Sequence, residues 1–252
     1  MNQFINETKV LDLVSSMGET MLLNGAEIAR VQTTMEIVAK AYNIEQLDVF
    51  AISNGIFVTL HTEDRNRCTQ IKHVPLSSSN LGKVAMINQL SREIAENHLT
   101  IDDALQEMEK IRNAKSNPFW LEMTACAVGA SCFCYLFGGS ILDSLAAVIV
   151  GLLLCLGMRY IRKANFSKMI QTVLLSALVT ISGLAINRLF PTLNMDMIII
   201  GGLIILVPGV PFTTSIRDYF NGDYLSGTIR MIDALLVAFC MAIGVGLIYT
   251  IF

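Results

Sequence analysis

Hydrophobic positions follow two regimes along this chain. Up to about Pro118 they recur at intervals of three and four or alternate with polar residues. Beyond it they merge into long apolar blocks. In the first regime Val10, Leu13, Val14, Met17 and Met21 share one helical face, and Asn24-Gly25 interrupts the pattern. Asn24 is placed to cap a second helix, with Glu27 answering it as in a capping box. Ile28, Val31, Met35 and Val38 mark that helix's inward face, and it should end near Ala41. Residues 47–52 and 56–61 are rich in β-branched and aromatic side chains and predict two strands, with Asn54-Gly55 as the hairpin turn. A third strand is expected over 67–74. Val84, Ile87, Leu90 and Ile94 predict a further helix, and Leu105, Met108 and Ile111 a last one capped by Thr100.

The second regime holds five blocks, at 119–137, 140–158, 169–187, 197–216 and 231–252. Each approaches or reaches the ~20 apolar residues that cross a bilayer core. Inside them stand only Glu122, Asp143 and Asp233 as charges. The predicted architecture is an α-helical membrane protein, with an N-terminal cytoplasmic α/β domain over 1–118 followed by a five-helix transmembrane domain over 119–252.

Charge sharpens the division. The first 118 residues carry 11 Lys and Arg with 15 Asp and Glu, whereas the remaining 134 carry 7 and 6. With 53% hydrophobic residues overall, neither one soluble core nor disorder describes the chain. A net charge of -3 without a basic run argues against nucleic acid. The opening residues lack a basic stretch followed by an apolar one, so no cleavable signal peptide is expected. Arg159, Arg162, Lys163 and Lys168 crowd the second-to-third connection. Arg217 and Arg230 lie in the fourth-to-fifth, and Lys110, Arg112 and Lys115 precede the first block. The positive-inside rule then puts the N-terminus in the cytoplasm and the C-terminus outside.

Candidate chemistry centres on Val207-Pro208-Gly209-Val210-Pro211 in the fourth block. Two prolines and a glycine break a helix where lipid supplies no hydrogen bonds, and broken helices of this kind build substrate sites in transporters. The plainer reading is a packing kink. Thr213, Thr214 and Ser215 offer hydroxyls beside the break, and Arg217 and Asp218 close the block. Asp233 lies three residues after Arg230, on one helix face, where the two can pair. Arg188 suits either an anionic substrate or an interfacial anchor, and Glu122, Asp143 and Asp196 suit the interface. Ala234, Ala238, Ala242 and Gly246 form a stripe for close helix packing, with Ala147, Gly151 and Cys155 a weaker one. Five of six cysteines lie in the apolar portion as packing residues, and Cys132-Phe133-Cys134 has no second cluster. His61, Glu63, Asp64, His73 and His98 fit no ligand spacing. No metal, cofactor or catalytic residue is therefore expected.

Three stretches together resemble the threonine/serine exporter family. They are residues 22–31 (LLNGAEIARV) followed by Thr33-Thr34, the hairpin Ile52-Ser53-Asn54-Gly55-Ile56, and residues 206–211 (LVPGVP) continuing through Arg217-Asp218 to Gly222 and Gly227. Asn24, Gly25, Glu27, Arg30, Ser53 and Asn54 carry the cytoplasmic part of the signature. The length is most similar to the larger subunit of the split, two-component branch, whose named example exports succinate. The resemblance implies export of a small metabolite across the bacterial inner membrane, of threonine and serine in the single-chain branch and succinate in the split one. It also implies a small, separately encoded membrane subunit as partner. The chain's end, just after its fifth block, is expected on that reading. A homo-oligomer is compatible with it. Two other classes compete: a membrane-anchored hydrolase using Glu27, Arg30 and Ser53, and a regulatory module in which the soluble domain gates the helices.

Overall fold

The computed structural model describes the backbone of residues 2–252 except 45, 62–66, 76–79, 97–98, 115–116 and 165. Side chains are described from residue 7 onward, except at 162. The chain forms two compact units, each discontinuous in sequence. One is Met1–Lys115 with Gly209–Ile232, and the other is Ser116–Pro208 with Asp233–Phe252.

In the first unit, α1 (Asn2–Leu23) and α2 (Ile28–Ala41) precede a three-stranded antiparallel meander, β1 (Leu47–Ile52), β2 (Gly55–His61) and β3 (Arg67–His73). Helices α3 (Leu81–Ala95) and α4 (Ile101–Arg112) follow. The helical periodicities named above mark the core: Leu13, Val14, Met17, Met21, Ile28, Val31, Met35 and Val38 are fully buried, as is Ile87. Ala51, Ile56, Val58 and Leu60 supply the inner face of the sheet. Its outer face leaves a row of Phe50, Phe57 and Ile71 exposed across all three strands. The hairpin closes one position earlier than expected. Gly55 opens β2 and pairs with Ile52, so Ser53 and Asn54 make the turn, and neither has a positive φ. Thr100 caps α4 by accepting the Asp103 N–H, as predicted.

Asn24 does not cap α2, which begins at Ile28 without a side-chain cap. It ends α1 instead. The Gly25 N–H donates to the Leu22 carbonyl and the Ala26 N–H to the Met21 carbonyl, with Gly25 at φ 84°, which is a Schellman turn. The Asn24 amide donates back to the Thr20 carbonyl at 2.7 Å. A glycine at the left-handed position outcompeted the capping box, because the carbonyls at the end of α1 need partners as much as the N–H groups opening α2 do. Gly25→Ala is expected to cost about 1–2 kcal/mol, read as a lower denaturation midpoint with unchanged slope.

In the second unit, α5 (Phe119–Leu136), α6 (Ile141–Lys163), α7 (Lys168–Leu189) and α8 (Met195–Leu203, prolonged by a 3₁₀ turn Ile204–Leu206) pack with the later part of α10 (Tyr224–Ile251). Among the described residues four helices are long and apolar enough to cross a membrane: α5, α6, α7 and α10. A fifth span results if α8 and α9 (Gly209–Phe220) count as one broken span. On α5 and α6 the buried positions are mostly small and many exposed ones are large and apolar. Ala130, Cys134, Ala147, Val150 and Cys155 are buried, while Leu142, Leu145, Ile149, Leu153 and Leu156 on α6 face outward. Water would punish such a surface; lipid does not, and close backbone approach supplies the packing. The Ala147, Gly151, Cys155 stripe provides it, with Gly151 against the Cys126 carbonyl, where a Cβ would lie 2.5 Å away. Of the stripe on α10 only Ala234 is buried, whereas Ala238, Ala242 and Gly246 are exposed. Asp143 is not at an open interface. It is 4% exposed, completes a capping box with Ser140 at the start of α6, and accepts the Asn194 N–H at 2.8 Å.

Candidate functional site

The proline motif ends one helix and starts another. Val207 takes an extended conformation (φ -60°, ψ 129°), as the residue before a proline must, and Pro208 has no N–H to continue the 3₁₀ turn. Pro211 falls in the first turn of α9, where a missing N–H costs nothing. The hydroxyls beside the break bond their own helix. Thr213 donates to the Gly209 carbonyl at 2.9 Å, Thr214 to Val210 at 2.7 Å and Ser215 to Phe212 at 2.8 Å, so only their acceptor lone pairs stay open. Gly209 is exposed, with nothing within 4 Å of where a Cβ would stand.

Gly209–Ile232 belongs to the same unit as the N-terminal helices, and there the first and third signature stretches meet. Gly222 (φ 86°) closes α9 as Gly25 closes α1. The Gly222 N–H donates to the Tyr219 carbonyl and the Asp223 N–H to that of Asp218. The two helix corners are cross-braced. Asp218, wholly buried, lies 3.1 Å from the Arg230 guanidinium, itself 7% exposed. The second Arg230 nitrogen donates to the Ala26 carbonyl at 2.8 Å, and the Ile28 N–H points at the Asp218 carboxylate at 3.5 Å. A carboxylate from residue 218 thus serves the N-terminus of α2 that Asn24 leaves open, where the helix dipole favours negative charge. Arg217 pairs with Glu27 at the exposed rim. Gly227 keeps α10 close to α9, against the Ser215 carbonyl and the Tyr219 ring.

Asp233 does not pair with Arg230. It lies in the second unit, where Lys168 donates to it at 2.6 Å. Arg188, in the last turn of α7, is exposed. The residues read from the sequence as one substrate path therefore fall into two groups: Gly209, Pro211, Thr213, Thr214, Arg217 and Asp218 in the first unit, and Arg188, Pro208 and Asp233 in the second. Lys168, Ala26 and Ile28 were not singled out. Lys168 was legible only as loop charge, and the other two act through backbone atoms, which leave no trace in side-chain identity.

The hydrolase grouping does not assemble. Glu27 is engaged by Arg217, Arg30 is exposed, and Ser53 is buried with its hydroxyl unbonded among the described residues, so no base faces it. His61 pairs with Asp48 at 2.9 Å, while Glu63, Asp64 and His98 lie outside the described residues.

The family model of putative threonine/serine exporters matches residues 12–252. A probable threonine/serine exporter of Mycobacterium tuberculosis is 27% identical over 96% of this chain, which covers 46% of that protein. The threonine/serine exporter of Corynebacterium glutamicum is 20% identical over 94% of the chain and is half covered. The chain thus spans about half the length of the exporters it matches. Against the probable succinate transporter subunit YjjP of Escherichia coli the identity is 23%, over 96% of this chain and 94% of that one. No solved structure matches. With that family model matched over residues 12–252, nearly its whole length, the chain belongs to the threonine/serine exporter family.

Proposed function

We propose that this chain is the larger subunit of a two-component exporter in the bacterial inner membrane, carrying a small metabolite outward together with a small second membrane subunit of the same family. The substrate is a dicarboxylate such as succinate, or threonine and serine. The observation that carries this reading is the near end-to-end match to a relative named a succinate transporter subunit, joined to helices that turn their large apolar residues outward. The distribution of Lys and Arg supports a cytoplasmic N-terminus and an external C-terminus. The uncovered Ala238, Ala242 and Gly246 face of α10 suits close approach of a partner helix.

Cells lacking both subunits should accumulate the substrate, and the pair together should restore efflux. In this reading the half-buried Asp233, held by Lys168, is the charge exchanged during transport. Asp233→Asn is expected to lower efflux tenfold or more with an unchanged amount of protein in the membrane. Recovery of efflux in a Lys168→Met/Asp233→Leu double variant would reduce the pair to a structural brace. Absence of succinate, threonine and serine efflux with both subunits present would overturn the transport reading.

A further inference from the structure

A groove of about 360 Å³ lies between α2 and α3 in the first unit, lined by Arg30, Thr33, Thr34, Asn88, Ser91 and Arg92 among others, with no Asp or Glu in its wall. Its size is at the lower end of small-molecule sites. Two cations on different helices open into one concavity. Arg30 has no ion-pair or hydrogen-bond partner among the described residues. Among the described residues Arg92 donates only to the neutral amide oxygen of Gln89, at 2.8 Å. Glu27, one turn before Arg30, is occupied by Arg217, and Glu93, beside Arg92, accepts from Gln89. The groove's largely apolar lining holds two buried polar residues. Thr34 is 5% exposed and Ser91 6%, and the hydroxyls of Thr33 and Thr34 make no hydrogen bond among the described residues, unlike the back-bonded threonines of α7 and α9. Two uncompensated guanidiniums over unbonded hydroxyls want an anion. A guanidinium fork matches a carboxylate in bidentate fashion, and two forks anchored on separate helices match a ligand with a carboxylate at each end.

We infer that the α2–α3 groove binds a small dicarboxylate, with Arg30 and Arg92 each holding one carboxylate and Thr33, Thr34 and Asn88 donating to its oxygens, the Ser91 hydroxyl being spent on the Asn88 carbonyl at 2.9 Å. The site lies outside the apolar helices and does not rest on the export reading, since binding alone defines it. Titration calorimetry on the purified full chain in detergent at low salt tests it, with succinate, acetate, inorganic phosphate and threonine as probes. Saturable succinate binding is expected, about tenfold or more tighter than acetate and weakened by added salt. Arg30→Gln and Arg92→Gln should each weaken it about tenfold or more, the loss of a charge-assisted pair, while Lys40→Gln leaves it unchanged. Both arginines are exposed, so melting temperatures should hold and a binding loss cannot be laid to unfolding. No saturable succinate binding, equal binding of acetate, binding of phosphate or threonine alone, or binding indifferent to both arginine variants would each overturn the inference. An export failure in the Asp233→Asn cells would leave it untouched.

Discussion

Asp218→Ala is expected to destabilise the full chain by about 3–5 kcal/mol, the usual loss when one partner of a buried ion pair is removed and the other is stranded. The stranded partner here is Arg230, 7% exposed, which would keep only the Ala26 carbonyl. The Ile28 N–H would lose the carboxylate facing the start of α2. Arg230→Met should cost a similar amount, since it leaves the Asp218 carboxyl buried without its cation and the Ala26 carbonyl without its donor, the latter alone worth about 1–3 kcal/mol. The double variant Asp218→Leu/Arg230→Met removes both charges and fills their space. It should be markedly more stable than the two single losses added together, because apolar replacement of a buried pair is often near neutral. Denaturant unfolding of the four proteins in detergent gives the coupling energy directly. A single-variant loss below about 1 kcal/mol, or strict additivity, would show that the two corners are not braced by this pair. Arg217→Gln is the internal contrast. Its partner Glu27 lies at an exposed rim where such pairs contribute about 0–1 kcal/mol, so little change is expected.

The brace marks the limit of what the sequence could say. Helix faces were legible because burial is periodic: Val10, Leu13, Val14, Met17 and Met21 on α1, and Ile28, Val31, Met35 and Val38 on α2, all went inside. The apolar blocks were legible because a bilayer imposes a length. In the fourth block the break was legible and the grouping beyond it was not. Pro208 interrupts residues 197–216 where the sequence placed the break, but the helix that follows, α9, folds with the N-terminal unit. Composition cannot show this, since an amphipathic helix of 12 residues is nearly as apolar as half a span. Turn chemistry was half legible. Gly25 and the hairpin were found, but Asn24 has two possible employers, the end of α1 and the start of α2, and residue type alone does not choose between them. The pairing of Asp218 with Arg230 runs across a turn, twelve residues apart, while Asp233 stood at the expected helical distance and was taken by Lys168. Spacing rules hold within one helix; tertiary partners answer to packing.

The second large effect is expected at Gly244, which the small-residue stripe of α10 did not include. Its Cα stands so close to α7 that an added Cβ would lie 2.0 Å from the Ser176 hydroxyl oxygen, 2.4 Å from the Val173 carbonyl oxygen and 3.2 Å from the Ala177 nitrogen. The last two are backbone atoms and cannot rotate away, so Gly244→Ala must push the helices apart. Overpacking of this kind costs about 1–3 kcal/mol and sometimes more. The high end is expected because the displaced neighbour is a rigid helix in which Ser176 already bonds the Thr172 carbonyl. Adding Ser176→Ala should recover only part of the loss, since the Val173 carbonyl remains. Gly246, two residues on, is exposed with open space around it, so Gly246→Ala should be neutral or stabilising by up to about 1 kcal/mol through helix propensity alone. The amount of folded protein recovered from membranes, with the melting temperature of the purified chain, distinguishes the two positions. If Gly246→Ala lost folded protein in the isolated chain while Gly244→Ala did not, the rotational setting of α10 against α7 would be wrong by two residues, about 200° of helix, and the exposed face offered to a partner would be the buried one.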